Sequence, residues 1–447
     1  MAFDSDPQSI LDDLIGMARK AGAEASDVSL SGSESLSVEV RLGELEGVER
    51  SESSSVALRA LIGKRQSAAT STDLSRRGLQ ELAERVVAMA KLAPEDKYCG
   101  LADKALLAKN FPDLDLEDSA APDAKALEEM ARACEDAGRA VNGVTNSEGA
   151  GADYNRGSSA YASSDGFFGA KRGTSYGVGA AMLAERDGAK EVGYDSKNER
   201  FFAELPAPAS LGVVAGERAV SQLSARKIDS CKAPVIFENR LAGAIIRPLL
   251  GAISGGAVAR GVSFLKDKLG QRILPAGFQI EDDPLRPRGM ASRAFDGEGV
   301  ATQKRYLIED GVLTTWLLNT SAALQLGLTS TGHATLGHGG PAGIGSSNLT
   351  VKPGQGTFED LLKQAGKGLI VTTTFSPSIN ANTGDYSVGV AGFWFENGEK
   401  QFPVSEVTIA GNFLDIYSRL VVGGDLERRG GLDTPSLLID ELTIAGR

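Results

Sequence analysis

The sequence is poor in cysteine and has no long apolar run. Its three cysteines, Cys99, Cys134 and Cys231, are widely spaced and form no Cys-x-x-Cys pair. An odd number at this spacing favours free thiols in a reducing compartment over a disulfide framework or a zinc knuckle. No apolar stretch approaches the ~20 residues of a membrane span, and the N-terminal MAFDSDPQS lacks the basic and apolar segments of a signal sequence. We therefore expect a cytoplasmic protein without membrane contact.

An excess of basic residues is also absent. The chain has 59 acidic and 47 basic side chains, and its formal net charge is −12. Such a charge repels phosphate backbones and lacks the basic surface typical of nucleic-acid binding. We therefore expect no direct contact with nucleic acid.

Turn dipeptides recur along the chain and indicate its fold class. They lie at Asn142-Gly143, Ser164-Asp165-Gly166, Arg186-Asp187-Gly188, Asp296-Gly297, Asp310-Gly311 and Asn397-Gly398. Such turns favour antiparallel hairpins. Helical patterns are grouped between the hairpins and do not alternate one by one with strands. This order predicts an α+β fold with largely antiparallel sheets and helices packed against them.

At 447 residues the chain has room for two or three closely packed domains. We predict a helix, strands and a second helix in residues 1–100, beginning with a helix that Asp6 caps and Pro7 starts. A stretch rich in Asp and Pro follows. Residues 120–230 then form a middle domain with a helix at 123–138, a β-meander and a helix around 216–224. Residues 231–447 form a mostly β C-terminal domain.

The stretch 382–412 predicts a hairpin around the Asn397-Gly398 turn. Pro403 cannot donate a hydrogen bond to a strand ladder, so it belongs at an edge or a bulge. Gly389 and Gly392 leave room for another backbone or a ligand. A core hairpin and a peptide-binding groove are both consistent with this pattern.

Two histidines, His333 and His338, lie in the glycine-rich stretch STGHATLGHGG. They could belong to a zinc site, but no third ligand is near in sequence, and a loop with two histidines explains them as well. The glycines also lack the Lys-Ser/Thr ending of a phosphate-binding loop. No Gly-x-Ser-x-Gly elbow is present, although the many Ser and Asp residues leave a dispersed catalytic arrangement open.

The segment 238–256 has helical apolar spacing but contains Pro248. Proline in a helix interior removes one backbone hydrogen bond and costs ~3 kcal/mol unless the helix kinks. We therefore predict a kinked, buried helix in which Arg247 reaches solvent or an acidic partner.

Several ordered sequence words identify a resemblance. Thr383-Gly384-Asp385-Tyr386-Ser387, the Phe-Glu-Asn-Gly turn and the ending 406–412 resemble the C-terminal signature of the TldD/PmbA family. The words at 295–300, 307–313 and 326–332 are similar to that family's middle signature. The resemblance covers nearly the whole chain.

The resemblance also implies where a metal site would lie. In the TldD branch, one helix carries His-Glu-x-x-x-His, with a metal-binding cysteine far downstream. The matching positions here are Arg247, Pro248 and Ala252, and no cysteine follows Cys231. These side chains cannot coordinate a metal or act as a general base. The sequence thus resembles the PmbA (TldE) branch, and we expect no catalytic or metal-binding residues in this chain.

The resemblance implies a function as the metal-free subunit of a TldD–TldE heterodimeric cytoplasmic metalloprotease. Such enzymes cleave unfolded or small peptides, including a peptide-antibiotic precursor and an antitoxin, and the metal, expected to be zinc, belongs to the TldD-type partner. Exposed strand edges would bind the peptide by β-augmentation. Asn382, Thr383, Gly384 and Asp385 are our candidates for the substrate channel, although a capped turn explains them too.

Two other functions stay open at this stage. The first is a regulatory protein that acts on DNA gyrase through protein partners, and the second is an independent hydrolase with unrelated catalytic groups. The sequence also leaves open whether the chain forms a homodimer alone, and whether His333 or His338 contributes to a partner's site.

Overall fold

The computed structural model describes residues 6–337 and 340–447. Helices and hairpin-built sheets succeed each other in groups, which confirms the α+β class. The helices of the N-terminal half are α1 (Pro7–Ala21), α2 (Arg76–Leu92), α3 (Ala124–Arg139) and α4 (Pro208–Ser221). Its strands are β1 (Ala25–Arg41), β2 (Glu44–Ile62), β3 (Arg65–Ser71), β4 (Val144–Ser163), β5 (Phe168–Arg186) and β6 (Ala189–Glu199).

The first helix forms for the predicted reasons. The Asp6 carboxylate accepts a hydrogen bond from the Gln8 N–H, Pro7 occupies the first turn, and Gly22 ends the helix at a φ of 111°. A left-handed residue at this position satisfies the last carbonyl groups of a helix. Helix α4 begins earlier than expected, because Pro208 supplies the φ angle of a first helical position.

One antiparallel sheet runs through the whole N-terminal half, in the order β3-β2-β1-β4-β5-β6. Its central pair is β1 with β4, in which Asp27–Val40 lie opposite Ser163–Ala150. The segments 1–100 and 120–230 therefore contribute strands to a single sheet.

The two faces of this N-terminal sheet differ in chemistry. Side chains alternate between the faces of a strand, and the helices α1 to α4 cover one face. Val28, Leu30 and Ala160 pack in one core on that face, and Val38, Ala152 and Val178 pack in another. The opposite face carries polar residues, among them Asp27, Ser29, Asn155, Ser159, Lys171 and Ser175. Residues of this polar face line the same cavities as Gly297, Glu298 and Arg293, so the C-terminal half lies against it.

The helices of the C-terminal half are α5 (Asn239–Ala252), α6 (Gly255–Ala259), α7 (Thr320–Leu326), α8 (Phe358–Ala365) and α9 (Phe413–Ser418). Its strands are β7 (Cys231–Phe237), β8 (Ile280–Asp282), β9 (Arg305–Glu309), β10 (Val312–Leu313), β11 (Ala334–Thr335), β12 (Gly343–Ile344), β13 (Leu349–Val351), β14 (Lys367–Ile379), β15 (Asp385–Glu396), β16 (Glu399–Asn412), β17 (Leu420–Val422), β18 (Leu432–Asp433) and β19 (Leu437–Ala445). No helix among the described residues combines the length and apolar character needed to cross a bilayer.

The largest C-terminal sheet has the order β16-β15-β14-β7-β19-β17, and a further pairing of β16 with β19 closes five of its strands into a barrel. Fully buried residues of α5 (Ile245, Ile246, Leu249) share a core with the barrel residues Val235, Phe237 and Val388. A second sheet, β10-β9-β8-β13-β18, adds to this core.

Not every predicted hairpin turn joins two strands. The turns at Gly166, Gly188, Gly311 and Gly398 do connect paired strands. Asn142-Gly143 instead lies between α3 and β4, and Asp296-Gly297 belongs to a loop that a single bridge from Phe295 to Ala301 closes. Asn-Gly and Asp-Gly dipeptides thus also form turns in loops and between a helix and a strand, where they do not join two paired strands.

Candidate functional site

Strand β14 has an open edge. Its residues Thr373–Ile379 pair with β15 on one side only, whereas β7 pairs with Leu369–Val371 and then ends at Phe237. No other strand of residues 6–337 and 340–447 pairs with this stretch. The backbone groups that point away from β15 are therefore available to a further strand.

Apolar side chains accompany the open edge. Phe375 is 53% exposed and Ile379 is 42% exposed. Between Phe375 and Ser378 the register with β15 shifts, and Ser376 adopts a φ of 47°. A bulge of this kind bends a strand and interrupts its ladder, and it is common next to binding sites. Pro377 removes one N–H donor from the bulge itself.

Helix α5 closes the inner end of the open edge. The Arg240 guanidinium donates a hydrogen bond of 2.6 Å from Nη2 to the Thr372 carbonyl, and a second of 2.8 Å to the Glu238 carboxylate. It also lies 5.0 Å from the ring centroid of Tyr194 on β6. Arg240 thus connects the N-terminal sheet, α5 and β14 where β7 stops.

The three positions that match the metal motif lie on this helix. Arg247 is exposed, Pro248 is half-buried and Ala252 is buried. Arg247 and Ala252 are five residues apart, which on a regular helix places them about 140° apart around the helix axis and therefore on different faces. A guanidinium, a pyrrolidine ring and a methyl group supply no metal-binding atom, so these residues do not fit a metal ion. Within residues 6–337 and 340–447, no group of three or more His, Cys, Asp or Glu side chains is placed to hold one.

Pro248 lies inside α5, as predicted. It has no N–H to donate to the Ala244 carbonyl one turn earlier. The buried Tyr417 hydroxyl donates a hydrogen bond of 3.1 Å to the adjacent Ile245 carbonyl. This bond supplies a tertiary donor where the helix ladder is weakened.

A short bridge connects the end of α5 with the predicted substrate-channel residues. The Ser263 hydroxyl donates a hydrogen bond of 2.7 Å to the Ala252 carbonyl, and the Phe264 N–H donates one of 2.9 Å to the Ala381 carbonyl. The structure therefore brings the matched helix and the 382–385 turn together at the outer end of the open edge.

The 382–385 turn is held by its own side chains. The Thr383 hydroxyl donates to Asp385 Oδ2 over 2.6 Å, and Asn412 Nδ2 donates to the Thr383 carbonyl over 2.8 Å and to Asp385 Oδ1 over 3.0 Å. These bonds lower the pKa of Asp385 below its usual value. Gly384 adopts a φ of 81° and is buried against the Phe264 ring, while Asn382, Thr383 and Asp385 are exposed. Most hydrogen-bonding groups of Thr383 and Asp385 thus stabilise the conformation of the turn itself.

His333 is buried in a polar network. Its Nε2 lies 2.8 Å from Asp282 Oδ2, its Nδ1 lies 2.7 Å from the Thr331 hydroxyl, and the Ser347 hydroxyl donates to the same carboxylate. The order hydroxyl, imidazole, carboxylate resembles a nucleophile relay. The Thr331 hydroxyl, however, also accepts a hydrogen bond from the Leu318 N–H over 2.8 Å, and His333 is only 3% exposed. We therefore interpret the network as structural; His338 lies outside the described residues.

The sequence patterns did not reveal a buried charged junction between the two halves of the chain. Arg59 Nε donates to Asp27 Oδ2 over 3.0 Å, and the Tyr161 hydroxyl donates to the same atom over 3.2 Å. Across the junction, Glu298 Oε2 accepts hydrogen bonds from the N–H and the hydroxyl of Thr320. The segment 295–300, which contains Glu298, could have indicated this junction. Its buried partners are distant in sequence, however, and no local pattern connects them.

Asp296 lies beside this junction. Its carboxylate accepts hydrogen bonds from the backbone N–H groups of Glu298, Val300 and Ala334, each 2.9 Å long. Burial and the neighbouring Glu298 carboxylate nevertheless raise the pKa of Asp296 to about 7.

These features define a class: an α+β protein whose strand barrel has an open edge beside a helix with Arg247, Pro248 and Ala252 at the matched metal positions. The family models of known proteins match in three consecutive segments. Residues 26–90 match PmbA/TldA metallopeptidase domain 1, residues 109–223 match the central domain, and residues 230–446 match the C-terminal domain.

Similar proteins cover the chain almost completely. Metalloprotease PmbA of Escherichia coli O157:H7 is 39% identical, over 98% of this chain and 97% of the relative. A PmbA homologue of Haemophilus influenzae is 37% identical over 97% and 94%. The crystal structure of a proposed modulator of DNA gyrase from Bacteroides thetaiotaomicron has a TM-score of 0.91 and 26% identity, with both chains fully covered. TldE from Thermococcus kodakarensis, at 19% identity and a TM-score of 0.87, covering 97% of this chain and 99% of its own, shares the fold. The chain belongs to the PmbA/TldD metallopeptidase family.

Proposed function

We propose that this chain is the subunit without its own metal site in a cytoplasmic metalloprotease of the TldD–TldE type, paired with a TldD-type subunit. Its substrates are unfolded or small peptides, such as a peptide-antibiotic precursor or an antitoxin. The observation that carries the proposal is the open edge of β14 beside a helix with Arg247, Pro248 and Ala252 at the metal positions. The relatives named metalloprotease PmbA support it.

The role of this chain is to hold the peptide as an added strand. Backbone hydrogen bonds along Thr373–Ile379 bind any extended segment, because they do not depend on its side chains. Phe375 and Ile379 add apolar contact with alternate residues of the peptide. A folded substrate has no free strand to offer, so the edge selects unfolded chains.

Peptide hydrolysis by the purified chain, alone and with a TldD-type chain from the same organism, tests the pairing. We expect no cleavage by the isolated chain, and cleavage by the pair that a chelator abolishes. Cleavage by the isolated chain that survives the chelator would contradict the proposal and favour an independent hydrolase.

Substitutions on β14 test the role of the edge. Phe375→Lys and Ile379→Lys should lower kcat/KM of the assembled pair about tenfold or more, because a charge replaces the apolar contact with the peptide. Leu324→Lys, at a 48% exposed position on α7, is the matched control and should leave activity unchanged. The pair is isolated by size-exclusion chromatography before the assay, which separates loss of binding from loss of assembly. Unchanged activity of both β14 variants would place the peptide elsewhere.

A regulatory function through DNA gyrase is the second candidate, supported by the description of the Bacteroides relative. The net charge of −12 favours contact with protein partners over contact with DNA. Capture of purified gyrase by this chain without a TldD-type partner would support it, and absence of binding would contradict it.

A further inference from the structure

A basic cleft lies between the polar face of the N-terminal sheet and the C-terminal half. Strands β4 and β5 form one wall, residues 290–293 form the other, and the cleft has a volume of about 340 Å³. Its basic side chains are Lys171, Arg200 and Arg293, and no Asp or Glu lines it. Arg172 follows Lys171 on β5, but side chains alternate along the strand, so its guanidinium lies on the opposite face of the sheet. Such a concentration of positive charge is unusual in a chain with a net charge of −12.

Backbone carbonyl groups hold two of the guanidinium groups in place. Arg200 donates from Nη2 to the Met290 carbonyl over 2.6 Å and from Nη1 to the Thr174 carbonyl over 2.9 Å. Arg293 donates from Nη2 to the Gly345 carbonyl over 3.1 Å, and its buried Nε has no hydrogen-bond partner. Burial lowers the pKa of both arginines. Carbonyl partners orient both cations, and the carboxylates of Asp282 and Asp296 offset part of the Arg293 charge, whereas no acidic group among the described residues acts on Arg200 in this way.

Lys171 has no partner within the described part of the chain, since its side chain forms no ion pair or hydrogen bond there. Lys171 is accessible to solvent but stands between the walls of this cleft and an adjoining one. The protein atoms of these walls displace part of the water around the ammonium group, and together with the charges of Arg293 and Arg200 this lowers the pKa of Lys171 to about 8. The folded protein therefore holds mutually repelling cations that a bound anion would stabilise.

The carboxylates of the adjoining cleft do not neutralise Lys171. Asp115 pairs with Arg288 over 2.6 Å, and Glu117 pairs with Arg156 over 2.8 Å. Asp113 accepts a hydrogen bond from the Asp115 N–H over 2.9 Å. Two of these acids are paired with arginines, and none of the three forms an ion pair with Lys171.

Small and neutral polar residues complete the floor of the cleft. In the β4–β5 register, Asn155 lies opposite Ser175, Gly157 opposite Gly173, and Ser159 opposite Lys171. The two glycines leave the centre of the floor free of side chains, and a Cβ at Gly173 would approach Arg200 Nη1 to 3.0 Å. The flanking amide and hydroxyl groups add neutral hydrogen-bond donors beside the cations.

We propose that this cleft binds a small anion that carries a phosphate group. A phosphate monoester has close to two negative charges and three strong acceptor oxygens, which suit several cations and hydroxyl donors better than a single carboxylate does. The volume lies within the range of small-molecule sites. A nucleic acid is disfavoured by the overall charge and by the cover that the C-terminal half provides. This site is independent of the proposed peptidase function.

Calorimetric titration and thermal unfolding of the full chain test the proposal, with inorganic phosphate, α-glycerophosphate, sulfate and chloride at matched ionic strength. We expect both phosphates to raise the unfolding temperature above the chloride and sulfate values, because the ligand binds the folded state. Tighter binding of α-glycerophosphate would identify an organic phosphate as the ligand, and tighter or equal binding of inorganic phosphate would identify the free ion. A phosphate effect no larger than that of sulfate would overturn the proposal.

Variants locate the site. Lys171→Gln should weaken phosphate binding about tenfold and Lys171→Glu should weaken it further, since the first removes a charge-assisted hydrogen bond and the second adds a repelling charge. Arg172→Gln changes a side chain on the opposite face of the same strand and should bind like the wild type. The Lys171 side chain has no partner to lose, so both Lys171 variants should fold. Lys190→Gln on β6, where the lysine pairs with Glu185 at the surface, is the matched control and should bind like the wild type. Wild-type affinity in both Lys171 variants would overturn the proposal.

Discussion

The protonation states of the buried residues His333 and Asp282 depend on their mutual hydrogen bond. Burial lowers the pKa of His333, although the Asp282 carboxylate acts in the opposite direction. Burial alone would raise the pKa of Asp282, but hydrogen bonds from His333 and Ser347 outweigh it and lower the pKa. At neutral pH the network therefore contains a neutral imidazole and an ionised carboxylate.

His333→Gln should lower the free energy of unfolding by about 2–4 kcal/mol at pH 7.5, because it leaves a buried carboxylate without its partner. A histidine whose pKa is lowered on folding contributes stability that is lost as the pH falls below the unfolded value of about 6.5. The difference between wild type and variant should therefore be smaller at pH 5 than at pH 7.5. Urea unfolding at both pH values measures it, and a difference that grows on acidification would contradict the assignment.

Tyr417 tests a single hydrogen bond beside Pro248. Tyr417→Phe should cost about 1–2 kcal/mol, because the Ile245 carbonyl loses a buried donor. Tyr386→Phe is the matched control, since the Tyr386 hydroxyl has no hydrogen bond within the described residues and its loss should cost less than about 0.5 kcal/mol. Equal losses in the two variants, measured by denaturant unfolding, would show that the bond to Ile245 contributes nothing.

At the scale of the element, α5 keeps an unfavourable residue in its interior. Pro248→Ala should raise the free energy of unfolding by about 1–3 kcal/mol, because alanine restores the N–H and relieves the clash with the preceding turn. Pro208→Ala is the control: this proline occupies the first turn of α4, where no intrahelical donor is needed, so its replacement should change stability by less than about 1 kcal/mol. A destabilised Pro248→Ala variant would mean that the surrounding core requires the proline geometry.

Turn chemistry predicted elements well when both neighbours were strands. Asp310-Gly311 and Asn397-Gly398 connect hairpins because positive φ angles suit such turns, and both residues of each pair adopt them. The pattern failed at Asn142-Gly143, since a helix and not a strand precedes it: α3 ends at Arg139 with Ala140 in the right-handed region, and only Gly143 of the pair has a positive φ. The predicted buried helix around Pro248 is confirmed as α5, with the proline in its interior.

At the scale of the whole molecule, the junction between the two halves depends on a buried charge pair. Arg59→Met should cost about 3–5 kcal/mol, because Asp27 and Glu298 would remain buried without a cation. The Arg59 side chain is only 9% exposed. The control is Arg50→Met on the same strand, where a 71% exposed side chain pairs with Glu34 over 2.7 Å. That variant should cost less than about 1 kcal/mol.

Chemical unfolding followed by fluorescence and by far-UV circular dichroism measures both arginine variants. If the junction couples the two halves, they unfold in a single transition in the wild type. Arg59→Met should then give two separate transitions, one for each half, whereas Arg50→Met should keep one. Equal losses in the two variants would show that the buried pair does not stabilise the junction.

The sequence by itself determined the α+β class, most hairpin turns, the caps of α1 and the side chains at the matched metal positions. These features depend on residues close together in the chain, where backbone sterics and side-chain periodicity decide the outcome. Only the tertiary structure decided the pairing of β1 with β4, the barrel closure, the open edge of β14 and the basic cleft beside Lys171. Each of these joins segments far apart in sequence, and their meeting depends on how sheets close and pack, which no local pattern encodes.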